Sequence, residues 1–262
     1  MEWEIISAYA KEWTKEAGEK IRSSFSTTLN ITSKSSPNDL VTNMDQEIEQ
    51  FFIGKIRKNF PNHKILGEEG FGDKLHNTDG VIWVIDPIDG TMNFIHQQRN
   101  FAISVGIYEN GIGRMGIIYD VVHDELYVAY KGKGAFLNNQ PIPPLNEVTV
   151  KEAIIGLNAI WATENKRIDY RKVVPLVQDV RGTRSYGSAA LELVYVATGR
   201  IDAYISMRLA PWDFAAGIII VEELGGISSD MLGQKLNLLE KSSVFVAKPG
   251  LHQEVLEKYI LK

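Results

Sequence analysis

Cysteine is absent from the 262 residues of the chain. Its absence excludes disulfide bonds, zinc–thiolate sites and a thiol nucleophile. A chain without cysteine is compatible with a reducing compartment, and we expect a cytoplasmic protein. The acidic start, Met1-Glu2-Trp3-Glu4, lacks the basic and apolar regions of a signal peptide, so none is expected.

Long apolar runs and an excess of positive charge are also missing. No stretch approaches the roughly 18 apolar residues of a membrane span, so we expect no membrane partner. The formal net charge of -5 argues against general binding of nucleic acid or of an acidic membrane. An anionic ligand would then need metal ions or a local basic pocket. The five histidines are scattered without the spacing of metal ligands, and we interpret them as structural or surface residues.

Apolar periodicity predicts the secondary structure. Residues 5–25 and 42–60 repeat with the spacing of amphipathic helices, and a Ser- and Thr-rich loop separates them. We interpret residues 26–37 of this loop as a mobile lid that metal binding orders. Several strand-like runs between residues 64 and 137, joined by Gly- and Asn-bearing turns, indicate a mostly antiparallel sheet.

A proline-rich segment, residues 140–144, is the best candidate for a domain boundary. Beyond it the pattern alternates between strand and helix. The sequence therefore predicts a protein of the α/β (α+β) class with two domains. Residues 1–142 would form an N-terminal α+β domain, and residues 143–262 a C-terminal α/β domain that completes the active site.

The most informative segment is Trp83-Val84-Ile85-Asp86-Pro87-Ile88-Asp89-Gly90-Thr91-Met92-Asn93-Phe94. Two acids end an apolar strand, and burying them is costly unless a cation or hydrogen-bond donors compensate. Hard cations such as Mg²⁺ prefer carboxylate oxygens, and two such ions about 4 Å apart can activate water against a phosphate ester. The segment favours a metal-dependent phosphate-ester hydrolase, and a salt-bridged pair of turns is the alternative.

Three other acidic sites have structural alternatives. Thr42 and Asp45 have the spacing of a capping box, and Asp213 lies at a helix start, where an acid complements the helix dipole. Glu68-Glu69-Gly70 is compatible with an exposed turn. The Asp-x-Asp-Gly-Thr motif of haloacid-dehalogenase phosphatases does not fit, because Asp86 and Asp89 are three positions apart instead of two.

Three motifs together resemble the inositol monophosphatase family in order and separation: Gly67-Glu68-Glu69, Asp86-Pro87-Ile88-Asp89-Gly90-Thr91 and Trp212-Asp213-Phe214-Ala215-Ala216-Gly217. The resemblance spans nearly the entire chain. It implies a layered α/β/α/β/α sandwich of the sugar-phosphatase type, and a homodimer. It also implies lithium-sensitive hydrolysis of small phosphate monoesters, foremost inositol monophosphate, with two or three Mg²⁺ ions that Mn²⁺ can replace.

The same resemblance implies roles for single residues. The first Mg²⁺ would be held by Glu68, Asp86 and the carbonyl of Ile88, and the second by Asp86, Asp89 and Asp213. Thr91, hydrogen-bonded to Asp45, would orient and deprotonate the attacking water. Backbone N–H groups at Gly90 and Thr91 would bind phosphate. A polyol or sugar would contact Gly187, Ser188 and Ala189.

One position departs from the family pattern. Ser206 stands where the animal inositol phosphatases carry a glutamate that binds inositol hydroxyls. A hydrogen bond to such a charged group contributes about 1.5–3 kcal/mol, so strict inositol preference is not expected. NADP 2′-phosphate, fructose 1,6-bisphosphate and adenosine bisphosphate are the alternative substrates. Arg208 would either contact a second anionic group or serve as an ordinary surface arginine. A regulatory or binding protein that retains the fold is the alternative from another functional class.

Overall fold

Helices and strands account for most of residues 2–26, 29–33 and 40–262, which the computed structural model describes. The helices are α1 (Glu2–Ser24), α2 (Asn43–Asn59), α3 (Thr91–Gln97), α4 (Tyr170–Asp179), α5 (Ala189–Ala197), α6 (Pro211–Glu223) and α7 (Leu251–Val255), which continues into a π-helical turn (Leu256–Ile260). The strands are β1 (Ile31–Ser33), β2 (Leu40–Thr42), β3 (Lys64–Gly67), β4 (Val81–Asp89), β5 (Ala102–Glu109), β6 (Ile112–Asp120), β7 (Glu125–Tyr130), β8 (Gly134–Leu137), β9 (Gln140–Pro141), β10 (Ile154–Leu157), β11 (Gly182–Arg184), β12 (Ala203–Leu209), β13 (Ile227–Ser229) and β14 (Ser242–Ala247).

Two large sheets organise these strands. The first has seven strands in the order β3-β4-β5-β6-β7-β8-β9, and only its β3–β4 pair is parallel. This agrees with the mostly antiparallel sheet predicted for residues 64–137. The second sheet has five strands in the order β11-β10-β12-β14-β13 and contains both parallel and antiparallel pairs.

Helices lie in three layers around the two sheets. Helices α1 and α2 cover one face of the seven-stranded sheet, and α5 and α6 fill the space between the sheets. Helices α4 and α7 cover the outer face of the five-stranded sheet. The predicted α/β/α/β/α sandwich is therefore confirmed. One apolar core joins α1 and α2 to the seven-stranded sheet, one joins α5 and α6 to both sheets, and one joins α4 and α7 to the five-stranded sheet.

Helix α6 lies very close to the seven-stranded sheet, and glycines make this approach possible. A Cβ at Gly116 of β6 would overlap the carbonyl oxygen of Ala216, and one at Gly106 of β5 would lie 3.1 Å from the Ala215 backbone. The two glycines are paired across β5 and β6. The close approach matters for function because α6 carries Asp213 in its first turn.

Some predicted and observed elements differ near the N-terminus. Residues 31–33, predicted as loop, form β1, which pairs with β2 in a small antiparallel ladder. Half of the predicted lid, residues 27–28 and 34–37, lies outside the described residues. The short β11, β13 and α7 carry too little apolar periodicity to be predicted. The division at residue 142 stays a prediction. None of the described helices is long and apolar enough to cross a membrane.

The glycine contact under α6 can be tested by Gly116→Ala. We expect a loss of about 1–3 kcal/mol in the free energy of unfolding, the usual cost of overpacking a core. Urea denaturation followed by far-UV circular dichroism measures it. Gly54→Ala is the matched control, because no atom lies within 4 Å of a Cβ there. Position 54 is exposed, and alanine there should stabilise helix α2 slightly. Equal stability of the two variants would contradict the proposed close packing.

Candidate active site

A β-bulge at the end of β4 brings two acids to one side of the sheet. Asp86 is opposite Ser104 of β5 and Asp89 is opposite Ala102, so the bulged strand has one residue more than its partner. In a regular strand, residues three positions apart point to opposite faces, and a bulge changes that direction. Pro87 lies inside the bulge, where a missing N–H is tolerated.

Helix α6 adds a third carboxylate. Asp86, Asp89 and Asp213 each offer an oxygen, and these atoms lie within 4.8 Å of one another. Oδ2 of Asp213 accepts a hydrogen bond of 2.7 Å from the backbone N–H of Ala210. The Asp213 side chain therefore takes part both in the interaction at the helix start and in the acidic cluster.

Glu68 reaches the cluster because β3 and β4 are parallel. Gly67 at the end of β3 pairs with Ile85, so Glu68 leaves the sheet at the same edge as Asp86. Its charge and a hydrogen bond between the two side chains both raise the pKa of Asp86. The structure thus places all four predicted acidic metal ligands at one site.

The four acids repel one another in a largely desolvated place. Burial raises the pKa of Asp86 and that of Asp213 well above the usual range, and neighbouring carboxylates raise both further. Burial also raises the pKa of Asp89 to about 6, although hydrogen bonds from Ser188 and Ala190 oppose the shift. A divalent cation would relieve this repulsion, and the oxygen-only donor set fits Mg²⁺.

Asp45 takes part in two interactions at once. Its Oδ2 accepts hydrogen bonds from the backbone N–H of Thr42, at 2.8 Å, and from the Thr42 hydroxyl, at 2.6 Å, which completes a capping box. Its Oδ1 accepts one of 3.0 Å from the Thr91 hydroxyl. The capping box and the predicted Asp45–Thr91 pair therefore coexist.

Thr91 begins α3, directly after Gly90. Its Oγ1 also lies 3.1 Å from the carbonyl oxygen of Ile88. Gly90 has a φ of 97°, a left-handed conformation that favours glycine. This turn places the Thr91 hydroxyl and the Ile88 carbonyl beside the acidic cluster.

The N-terminus of α5 holds Asp89. Oδ2 of Asp89 accepts hydrogen bonds from the Ser188 hydroxyl, at 2.5 Å, and from the backbone N–H of Ala190, at 2.7 Å. Ser188 is 2% exposed, and its buried hydroxyl donates to Asp89. The predicted contacts of Gly187, Ser188 and Ala189 with substrate stay a prediction.

A cavity of about 260 Å³ adjoins the cluster. Asp89 and Asp213 form part of its wall, together with the predicted Gly187, Ser188 and Ala189. Ser206 and Arg208 of β12 also face it. The sequence did not predict the contribution of Asn158, Ile160 and Trp161, which lie in an irregular segment after β10.

Glu49 is a further buried acid that sequence reasoning missed. Its Oε2 accepts a hydrogen bond of 2.6 Å from the Glu69 N–H, and its Oε1 one of 2.9 Å from the Phe71 N–H. The carboxylate thereby supports the turn that carries Glu68. A signal exists in retrospect, because Glu49 shares a helical stripe with Asp45, Phe52 and Ile56 and is fully buried.

The buried acids predict an unusual pH dependence. An acid whose pKa is raised by folding stabilises the folded state below its unfolded pKa, about 3.9 for Asp, and this stability is lost as the pH rises through the folded value. Without metal, the stability that Asp89 contributes should therefore be lost as the pH rises from about 4 to about 6, since its folded pKa is about 6, and the raised pKa values of Asp86 and Asp213 act in the same direction.

Two histidines act in the opposite direction within this pH range, so melts with and without Mg²⁺ are compared at each pH. Burial lowers the pKa of His63 and that of His252, which destabilises the folded state only below their unfolded value of about 6.5. Thermal melts with EDTA and with MgCl₂ are the measurement. The stabilisation by Mg²⁺ should grow with pH across the range, and a shift that is the same at both ends would contradict the assignment.

Comparison with known proteins places the chain in a family. The model of the inositol monophosphatase family matches residues 2–261. Inositol-1-monophosphatase of Bacillus subtilis (strain 168) is 57% identical over 98% of this chain and 97% of its own. The crystal structure of inositol monophosphate-bound SaIMPase-II superposes with a TM-score of 0.90 at 42% identity, covering 98% of this chain and 94% of that one.

A third similar protein differs in its ligand. The crystal structure of an IMPase/NADP phosphatase complexed with NADP and Ca²⁺ has a TM-score of 0.90 at 28% identity, covering 97% of this chain and 94% of that one. These similarities extend over almost the whole chain and agree with the motif order and the layered fold. The chain belongs to the inositol monophosphatase family.

Proposed function

We propose that the protein is a Mg²⁺-dependent phosphoric monoester hydrolase of small substrates, with inositol monophosphate as the first candidate. The observation that carries the proposal is the convergence of Asp86, Asp89 and Asp213, with oxygens within 4.8 Å, beside a cavity of about 260 Å³ that Asp89 and Asp213 line. The 57% identity to an inositol-1-monophosphatase supports the same activity. A purely regulatory role would not need these costly buried acids.

The proposed metal ligands are those that the family resemblance implies. Glu68, Asp86 and the Ile88 carbonyl would hold one Mg²⁺, and Asp86, Asp89 and Asp213 would hold another. A third, weaker ion would lie near Glu68, and Mn²⁺ would substitute. When bound, such ions lower the pKa of water and stabilise the charge on the leaving oxygen.

Asp45 and Thr91 would accept the proton that the attacking water loses. Because the Thr91 hydroxyl donates its hydrogen to Asp45, its oxygen lone pairs are available to accept one from the attacking water. Burial raises the pKa of Asp45 above its usual value, which helps this carboxyl to take up a proton. The reaction would be a direct in-line attack on phosphorus, without a covalent phosphoenzyme. Backbone N–H groups at Gly90 and Thr91 would bind the phosphate.

The second candidate is a phosphatase of substrates with two anionic groups, such as the NADP 2′-phosphate, fructose 1,6-bisphosphate or an adenosine bisphosphate. Its support is Arg208, a cationic side chain in the cavity wall that has no acidic partner within the described part of the chain. Ser206 beside it replaces the carboxylate expected to bind inositol. The similar IMPase/NADP phosphatase supports this candidate as well.

The remaining expectations are part of the same proposal. The enzyme would be cytoplasmic, homodimeric and sensitive to lithium, and would need no nucleic-acid or membrane partner. Residues 1–142 would carry most metal ligands, while residues 143–262 would contribute Asp213 and the substrate side of the cavity.

Asp89→Asn tests the metal-dependent mechanism. The amide retains an oxygen for Ser188 and Ala190 but loses the negative charge, so the fold should persist while kcat falls by at least about 10³-fold. Phosphate release from inositol monophosphate with MgCl₂ is the measurement. Asp79→Asn, at an exposed acid, is the matched control and should keep wild-type activity. A near-normal rate for Asp89→Asn would refute the proposal.

Arg208→Ala separates the two substrate candidates. Losing a hydrogen bond to a charged group costs about 1.5–3 kcal/mol, so kcat/KM should fall at least about tenfold for NADP and fructose 1,6-bisphosphate. For inositol monophosphate it should change less than about twofold. Arg167→Ala, outside this cavity, is the control. Equal effects of Arg208→Ala on all substrates would rule out a second anion site.

A further inference from the structure

A buried acid in α5 takes no part in the machinery described so far. Glu192 is 3% exposed. Its Oε1 accepts a hydrogen bond of 2.9 Å from the backbone N–H of Tyr186. Its Oε2 is buried and has no hydrogen-bond partner among the described residues. Burial raises the pKa of this carboxyl to about 7. A buried carboxyl group with only one hydrogen-bonded oxygen destabilises a core. Its presence in an otherwise apolar helix therefore indicates a role beyond packing.

The neighbouring strand leaves room for this carboxyl group. A Cβ at Gly156 of β10 would overlap Oε2 of Glu192. Gly156 is a central position of the five-stranded sheet, paired with Arg184 on one side and Tyr204 on the other. Its φ is not in the left-handed region, so backbone conformation does not require a glycine there. The space that the Glu192 side chain occupies is what requires a glycine at position 156.

Glu192 and Asn93 hold the two peptide groups that flank Tyr186. Glu192 accepts from the N–H of Tyr186, and Asn93 Nδ2 donates a hydrogen bond of 2.7 Å to the Tyr186 carbonyl. The next residue, Gly187, has a φ of 77° and donates its own N–H to Glu192. The Tyr186–Gly187 turn is therefore held on both sides.

This turn leads directly to the residues that hold Asp89. Ser188 follows Gly187, and its hydroxyl together with the Ala190 N–H occupies Oδ2 of Asp89. Any rotation of the Tyr186–Gly187 peptides would move Ser188 and so turn the carboxylate. Asn93 belongs to α3, two positions after Thr91, so the same contacts tie the Thr91 helix to the Asp89 support.

We propose that Glu192 is a positioning residue for the second metal site. It keeps the Tyr186–Gly187 turn in place so that Ser188 and Ala190 occupy one oxygen of Asp89 and leave the other for the ion. The proposal rests on the proposed metal-dependent function. What Glu192 must supply is a hydrogen-bond acceptor for two N–H groups, and its negative charge is not required.

The experiment compares Mg²⁺ binding by Glu192→Ala and Glu192→Gln. Removing a residue that orients a metal ligand typically costs about 10–100-fold in metal affinity, and we expect that loss for Glu192→Ala. Glu192→Gln keeps an acceptor oxygen and should stay within about threefold of wild type. Isothermal titration of metal-free protein with MgCl₂ measures affinity, and the Mg²⁺-induced rise in melting temperature is a second readout. KM for the phosphate ester should change much less than the Mg²⁺ requirement.

Two further variants separate positioning from general destabilisation. His252→Ala breaks a buried hydrogen bond to Ser229 in another core, and it should lower stability while keeping Mg²⁺ affinity. Gly156→Ala leaves residue 192 a glutamate, but its added Cβ should displace the carboxyl group and so weaken Mg²⁺ binding. If Glu192→Ala does not fold, the Gly156→Ala and Glu192→Gln pair decides the question.

The outcomes are distinct. Wild-type protein that binds no Mg²⁺ would contradict the proposed function and, with it, the role of Glu192. Wild-type binding combined with unchanged affinity in Glu192→Ala or in Gly156→Ala would overturn the positioning role alone. A loss in His252→Ala as large as that in Glu192→Ala would also overturn it, and so would a loss in Glu192→Gln as large as in Glu192→Ala.

Discussion

Repulsion between buried carboxylates is the constraint on which the site depends. Each acid is held in the same manner, with one oxygen occupied by hydrogen-bond donors from the chain. The donor groups come from Thr42 for Asp45, Ile88 for Asp86, Ser188 and Ala190 for Asp89, and Ala210 for Asp213. For each of these four acids, at least one donor is a backbone N–H. A carboxylate bound in this manner keeps its orientation against its neighbours, and in Asp45 the second oxygen accepts a hydrogen bond from Thr91.

The layered fold supplies these donors from elements far apart in the chain. The β4 bulge turns Asp86 and Asp89 to one side, and the α5 and α6 N-termini, both in the layer between the sheets, approach from the other. Helix N-termini present unpaired N–H groups and a favourable dipole for acids. The glycines under α6 allow it to approach the sheet closely. Packing between layers therefore determines the distances between the acids.

The site was predictable where a residue type conflicts with its local surroundings. Asp86 and Asp89 end an apolar strand, so the sequence alone indicated a cation. For Asp45 and Asp213, local signals indicated capping, and the structure shows that capping occupies one oxygen only. Glu49 and Glu192 were missed because their partners lie in distant segments or in a turn. No short-range pattern indicates that an acid within a buried helix will support a loop.

In the proposed function, substrate choice would depend on a different part of the cavity than catalysis does. The acidic side is constrained by many hydrogen bonds, so a substitution there disturbs several elements together. The opposite side is formed by Ser206 and Arg208 at an irregularity of β12 and by residues 158–161. Arg208 and Asn158 are exposed, and changing them breaks no buried network. Selection for a new phosphate ester can therefore act on this side while the metal ligands stay in place. Ser206, at the position where the family resemblance implies an inositol-binding glutamate, is the kind of difference that this arrangement permits.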